Sequence, residues 1–158
     1  MPSAKCGFDD GPAGEKGCDA LVVFGPTLIV HIGFDPAYKF VPGQIVATPP
    51  ITGTPNPVHA LVDTGATESC IDAGLAMQLN LPIVDRRSVG GIGGAHEVNM
   101  HLAQIHVPSL AFTIHGAFAG VNLIAGGQPH RALIGRTFLQ HFTMVYEGLT
   151  GTVTLTRD

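Results

Sequence analysis

Leu61-Val62-Asp63-Thr64-Gly65-Ala66-Thr67 is the stretch on which the fold turns. An apolar strand, His59 to Val62, runs directly into a carboxylate, a hydroxyl and a glycine. That order sets an acid at the end of a buried strand, on a tight turn. Gly65 permits a turn at positive φ and the close approach of another main chain. Ala66 keeps the ground beside the acid low. Glu68 to Ile71 continues as strand. Asp72 then stands as the N-cap of a short helix with Leu75, Ala76 and Leu79 on one face.

Alone, Asp-Thr-Gly reads as a surface turn, because Asp and Gly are common turn residues. Two later strings change the balance. One is Gly90-Gly91-Ile92-Gly93-Gly94; the other is Ala132-Leu133-Ile134-Gly135-Arg136, followed by Phe138-Leu139. The first lies in a glycine-rich hairpin over Ser88 to His96. The second is a short buried strand, Ala132 to Ile134, leading into two helical turns over Arg136 to Phe142. Between them Val98 to Val107 and Leu110 to His115 read as strands. Thr143 to Tyr146 and Thr152 to Leu155 form a closing hairpin.

Ahead of Asp63 the pattern is looser. Residues 1–19 are rich in glycine and charge and read as a flexible leader. Leu21 to Phe24 and Thr27 to Ile32 read as strands split by Gly25-Pro26. Asp35 to Pro57 holds Pro36, Pro42, Pro49, Pro50, Pro55 and Pro57, so 35–57 is an insertion of loop or edge strand. Residues 20–158 make one domain, since 158 residues hold one core and not two.

Low charge (13%) with 45% apolar residues argues against disorder. A net charge of −4 argues against a nucleic-acid partner bound through phosphates. The eight histidines all charge in acid and reverse that sign. No apolar signal segment opens the chain, and Ala20 to Phe34 is too short and too broken to span a bilayer. A soluble cytoplasmic protein without a membrane partner is expected. Cys6, Cys18 and Cys70 form neither a disulfide framework nor a zinc spacing.

In its three strings the sequence resembles the retropepsin-like aspartic proteases, the retroviral type with bacterial and cellular relatives. The resemblance runs over about residues 26–146 apart from the proline-rich stretch. It implies an all-β, closed acid-protease barrel with one or two short helices, working as a homodimer on peptide or protein substrates without a cofactor. Asp63 would be the catalytic aspartate. Thr64 would hydrogen-bond between subunits, and Gly65 would accept the substrate backbone. Ala66 would floor the cleft. Gly90 to Ala95 would form a flap, with Gly91 and Gly93 flanking Ile92 at its tip. Cys70 and Leu133 would line specificity pockets, with His130 and Arg131 near their rim. Gly135-Arg136 would brace the catalytic loop from behind. Where the retroviral enzymes carry a second aspartate, Thr67 stands here, so Arg136 needs Glu68 or a backbone carbonyl instead. The mechanism needs two such acids and the chain has one Asp-Thr-Gly, so a symmetric partner would supply the other. Self-processing that removes residues 1–19 is a further expectation.

Other readings fit less well. Asp63-Thr64-Gly65-Ala66-Thr67 also looks like the first phosphate loop of actin-like ATPases, but those folds need a longer chain and further nucleotide motifs. A dinucleotide fingerprint at Gly91-Ile92-Gly93 fails because His96 stands where its last glycine belongs. A protease-like fold used for binding or dimerisation without cleavage has little need of the acid. His96, His101 and His106 fall on alternating faces of a strand, which does not make a metal site.

Overall fold

The computed structural model describes residues 2–37, 57–91, 94–125, 127 and 129–158. Most of the proline-rich stretch, and the expected flap residues Ile92 and Gly93, lie outside the described residues. The chain is mostly β. In order it forms β1 (Ser3–Lys5), α1 (Gly17–Phe24), β2 (Thr27–Gly33), β3 (Val58–Val62), β4 (Cys70–Asp72), α2 (Ala73–Gln78), β5 (Ile83–Gly91) and β6 (Gly94–Val107). A 3-10 turn at Pro108–Leu110 leads to β7 (Phe112–Val121), β8 (Ala132–Ile134), α3 (Arg136–Leu139), β9 (Thr143–Glu147) and β10 (Thr152–Thr156).

Alternation builds the core. Along β2, Leu28, Val30 and Ile32 are buried while Ile29 is exposed, the period of a strand with one covered face. β2 pairs with β3, β3 with β8, β8 with β4, β4 with β7 and β7 with β6. β6 then returns to β2 through His31, Ile32 and Gly33. The β3–β8 and β4–β7 pairs are parallel and the rest of this circuit is antiparallel. β5 pairs only with β6 among the described strands, so the β5–β6 hairpin stands out from the circuit. A second sheet has the order β1-β10-β9.

The two sheets share one apolar interior. Phe138 stacks on Phe142 at 4.9 Å and meets Phe112 edge-on at 5.3 Å, beside Val153 and Leu155 of β10. Aromatic pairs in these geometries add to the burial of their area.

Three expectations are corrected. The leader is built into the fold: β1 pairs with β10, and Ala4 and Cys6 are buried on the same face as Val153 and Leu155. Two small apolar residues, two apart, are enough when a partner strand already waits. Leu21 to Phe24 is helix, not strand, and with α1 the described residues form three α-helices. Val22, Val23 and Phe24 favour strands, but only Leu21 of these four is buried; the other three point outward. Packing of one residue outweighs the propensity of its neighbours. The helix stops at Gly25, whose φ is +71° and whose N–H donates to the Leu21 carbonyl. Finally, α3 is a single α-helical turn that loosens into 3-10-type bonds as far as Phe142.

Three buried histidines tie strands together. His101 donates from Nδ1 to the Leu81 carbonyl (3.2 Å). His106 Nδ1 lies 2.8 Å from the Thr113 hydroxyl, and His130 Nε2 lies 3.0 Å from the Thr27 hydroxyl. Burial lowers the pKa of His106 and His130, helped by His31 and His59 respectively, and burial alone lowers that of His115.

A histidine held below its ordinary value of 6.5 charges in the unfolded chain first. Its contribution is therefore complete above that pH and is lost as pH falls from there toward the lowered folded value. The denaturant midpoint is expected to fall between pH 7.5 and pH 5, and a midpoint that rises would contradict this. Phe138→Ala empties the centre of the aromatic cluster and is expected to cost about 3–5 kcal/mol in chemical denaturation.

Candidate active site

Asp63 leaves β3 anchored by its own main chain. Its N–H donates to the Ile134 carbonyl at the end of β8 (2.9 Å). The turn then closes on itself: Ala66 N–H donates to the Asp63 carbonyl (3.2 Å), and Gly65 N–H donates to Asp63 Oδ1 (2.9 Å). The carboxylate is half-buried, and Thr64 and Gly65 are exposed beside it. Gly65 is not at positive φ, contrary to the sequence reading. Its role is space, since a Cβ there would lie 3.1 Å from Asp63 Oδ1.

A clasp behind the turn comes from Gly135 and Arg136. A Cβ on Gly135 would sit 2.6 Å from the carbonyl of Glu68 and 3.0 Å from that of Ala66. This closeness lets Arg136 N–H reach the Ala66 carbonyl (2.9 Å) and Thr137 N–H the Thr67 carbonyl (3.0 Å). Two donors at the start of α3, which a helix leaves unpaired, are thereby satisfied by the loop. The guanidinium of Arg136 completes the hold, donating from Nη1 to the Thr64 carbonyl (2.8 Å) and from Nη2 to the Thr67 hydroxyl (3.0 Å). Of the two partners expected for Arg136, the backbone carbonyl is the one used. Thr67 adds its hydroxyl as a second acceptor beside that carbonyl.

Ser69 was not singled out from sequence. It is buried, and its hydroxyl accepts from Gly135 N–H (3.0 Å). A serine just before the buried strand Cys70–Asp72 is the trace it leaves.

The register of three pairings gathers the remaining residues. Leu133 faces Leu61 on one side and Cys70 on the other, and Cys70 faces Ala119. These four share one face of the sheet, and Asp63 follows Leu61 by two residues. The opposite face, with Ala60, Val62, Ile71, Ala132 and Ile134, belongs to the core. Burial raises the Cys70 thiol to about 11, eased by a hydrogen bond with the Leu133 backbone and pushed further by the charges of Asp63 and Asp72. It stays protonated and is no nucleophile at neutral pH.

Further along that face, Asp72 and Arg131 form an ion pair (Oδ2 to Nε, 3.6 Å). Asp72 is buried and fully used, accepting from the N–H groups of Leu75, Leu123 and Ile124 at 3.2, 3.0 and 3.2 Å. It is the N-cap of α2 that its place predicts, and no second acid for Asp63. His130 is buried against Thr27 and does not stand on the rim, which corrects its expected place. Arg131 is partly exposed there. Gly90 and Gly91 pair with Ala95 and Gly94 in the β5–β6 hairpin, on the far side of β7 from β4. Ile92 and Gly93 lie outside the described residues. Among the described residues Asp63 has no ion-pair partner, and no group of three or more metal-ligating side chains occurs.

A family model described as "gag-polyprotein putative aspartyl protease" matches residues 50–141. Among solved structures, EIAV protease complexed with the inhibitor HBY-793 is similar at 20% identity, covering 73% of this chain and 85% of that one with a TM-score of 0.46. No curated protein matches the chain.

Arg136→Lys keeps the charge but loses the fork that reaches two oxygens at once. A loss of roughly 1 kcal/mol is expected in chemical denaturation, with faster hydrogen exchange at the Gly65 and Ala66 amides. Gly135→Ala forces the loop away and is expected to cost more. Equal stability in the two variants would show that β8 and the loop are not packed backbone to backbone.

Proposed function

This chain belongs to the retropepsin-like aspartic protease family, and from that premise we propose that it is an endopeptidase whose acid is Asp63. The observation that carries the reading is the held turn. A carboxylate stands half-buried at the end of a strand, on a loop clasped from behind by Gly135, Arg136 and Ser69.

One acid per chain is half of the required chemistry. A homodimer would set two Asp63 carboxyls side by side, where ionising one opposes ionising the other, so that they share one proton in mild acid. The ionised member takes a proton from a water held between them. The water oxygen attacks the scissile carbonyl carbon, and the protonated member gives its proton to the carbonyl oxygen. The resulting gem-diol gives one hydroxyl proton to the ionised member as the C–N bond breaks, and the leaving amine takes the other member's proton, so the pair again holds one. Preorganisation is the contribution of the clasp, because a misplaced carboxyl loses most of its advantage. Thr64, exposed next to Asp63, would bond to the partner's loop.

The substrate would bind as an extended strand, with main-chain hydrogen bonds for affinity and side-chain pockets for choice. Leu133, Cys70, Ala66 and Gly65 would line its path, and the β5–β6 hairpin would act as the flap. A short apolar floor favours aliphatic or aromatic side chains next to the cleaved bond. The circuit from β2 back to β2 supports reading the fold as the closed barrel of this family.

Asp63→Asn is expected to lower cleavage of an unfolded protein substrate by about a thousandfold or more, with the fold unchanged. Cleavage by the native chain is expected to peak in mild acid and to fall once both carboxyls ionise. Undiminished cleavage by the variant, or a rate flat into strong alkali, would overturn the assignment.

A further inference from the structure

The sheet face that carries the acid is built in two rows. The row two residues behind Asp63 is apolar, with Leu61, Leu133 and Cys70 side by side. The next row lies at the level of His59. Arg131 N–H donates to the His59 carbonyl (2.9 Å), and Asp72 N–H donates to the Arg131 carbonyl (2.8 Å), so Arg131 stands between His59 and Asp72. Ile29 faces His59 at one end of the row, and Val121 faces Asp72 at the other. Of these five residues only Asp72 is acidic.

Asp72 steers the guanidinium of Arg131 without using it up. Its Oδ2 lies 3.6 Å from Nε, near enough for an ion pair and too far for a hydrogen bond. Its two oxygens already accept three backbone N–H groups. Its side chain is 6% exposed against 34% for that of Arg131, so the acid lies beneath and the arginine above it. Nε is buried without a hydrogen bond. Nη1 and Nη2 have no partner among the described residues either, but they are not buried. Arg136 differs, because both of its Nη groups are engaged by the loop of Asp63.

We infer that Arg131 determines specificity: it selects peptides that carry an aspartate or glutamate within about four residues of the cleaved bond. The inference rests on the cleavage reading above and names the substrate class of that site. Arg131 is level with His59, four residues behind Asp63 in the chain, which is about 13 Å along a strand. An extended substrate advances about 3.3 Å per residue, so its reach matches. A peptide that lays an apolar side chain on Leu61, Leu133 and Cys70 brings a more distant side chain over Arg131. A carboxylate there takes parallel bonds from Nη1 and Nη2. A glutamine of the same shape has one oxygen to offer and no charge, and a lysine is repelled.

Two assays on one random peptide library test this. In the first, the native chain digests the library at about pH 6, where Asp and Glu are ionised, and mass spectrometry reads the cut sites. Acidic residues are expected to be enriched at one position near the cut. For two peptides that differ there only as Glu and Gln, kcat/KM is expected to favour Glu about tenfold in the native chain and to reach parity in Arg131→Gln. Arg131→Lys keeps the charge without the fork and is expected to fall between. The ratio is taken within each variant, so a general loss of activity from unpairing Asp72 does not move it. In the second assay, immobilised Asp63→Asn captures peptides from the same library without turnover. The captured peptides are expected to be rich in Asp and Glu, and adding Arg131→Gln is expected to abolish that enrichment. The inference is overturned by cut sites without an acidic preference, or by a preference that survives Arg131→Gln. Acidic peptides captured through Arg131, with no cleavage by the native chain, uphold the selection and sink the protease reading. Cleavage indifferent to Arg131→Gln does the reverse, and neither capture nor cleavage overturns both.

Discussion

Gly135 has no room for a side chain, and the position of Asp63 depends on that. With the Glu68 carbonyl 2.6 Å from where a Cβ would stand, β8 and the acid's loop touch backbone to backbone. The restraints that reach the loop from Ser69, β8 and α3 use this closeness. Ser69 accepts from the Gly135 amide, the first amides of α3 reach the loop carbonyls, and Arg136 spans Thr64 and Thr67. A carboxylate on an exposed turn would ordinarily wander. Here its main chain is fixed at both ends by partners that sit in or beside the core.

The same strands serve stability and chemistry on opposite faces. Ala60, Val62, Ala132, Ile134 and Ile71 are sealed in the interior, while Leu61, Leu133 and Cys70 turn the other way. A one-residue slip in β8 would exchange the two sets. The parallel β3–β8 pairing therefore positions the residues beside Asp63 as strictly as it builds the core. Asp72 shows the same double use. It caps α2, holds the turn at Leu123 and Ile124, and neutralises Arg131, all at the end of β4.

Local pattern made much of this legible. β3, β8, the cap at Asp72 and the β9–β10 hairpin follow from apolar runs, a capping residue and a glycine turn whose signals lie within a few residues of each element. The misread parts depend on distant partners. β1 is three residues long and exists because β10 waits beside it. α1 has a strand-like composition and is set by the burial of Leu21 and the stop at Gly25. Ser69 and the Thr67 partner of Arg136 become visible only once β8 lies against the loop. Gly65 was marked by its residue type, yet the reason is clearance from Asp63 and not a positive φ.

The pairing of β1 with β10 also decides how the protein bears a load. Ser3 lies opposite Thr156 and Lys5 opposite Thr154, with the strands antiparallel. A pull between residues 2 and 157 therefore acts at one end of the ladder. The bonds Arg157–Pro2, Cys6–Val153 and Phe8–Gly151 are met in turn, not together. Strands loaded in this way peel like a zipper at low force, whereas strands sheared along their length resist with all their bonds at once. Tension across its two ends would strip β1 from the sheet before it disturbed the clasp at Gly135.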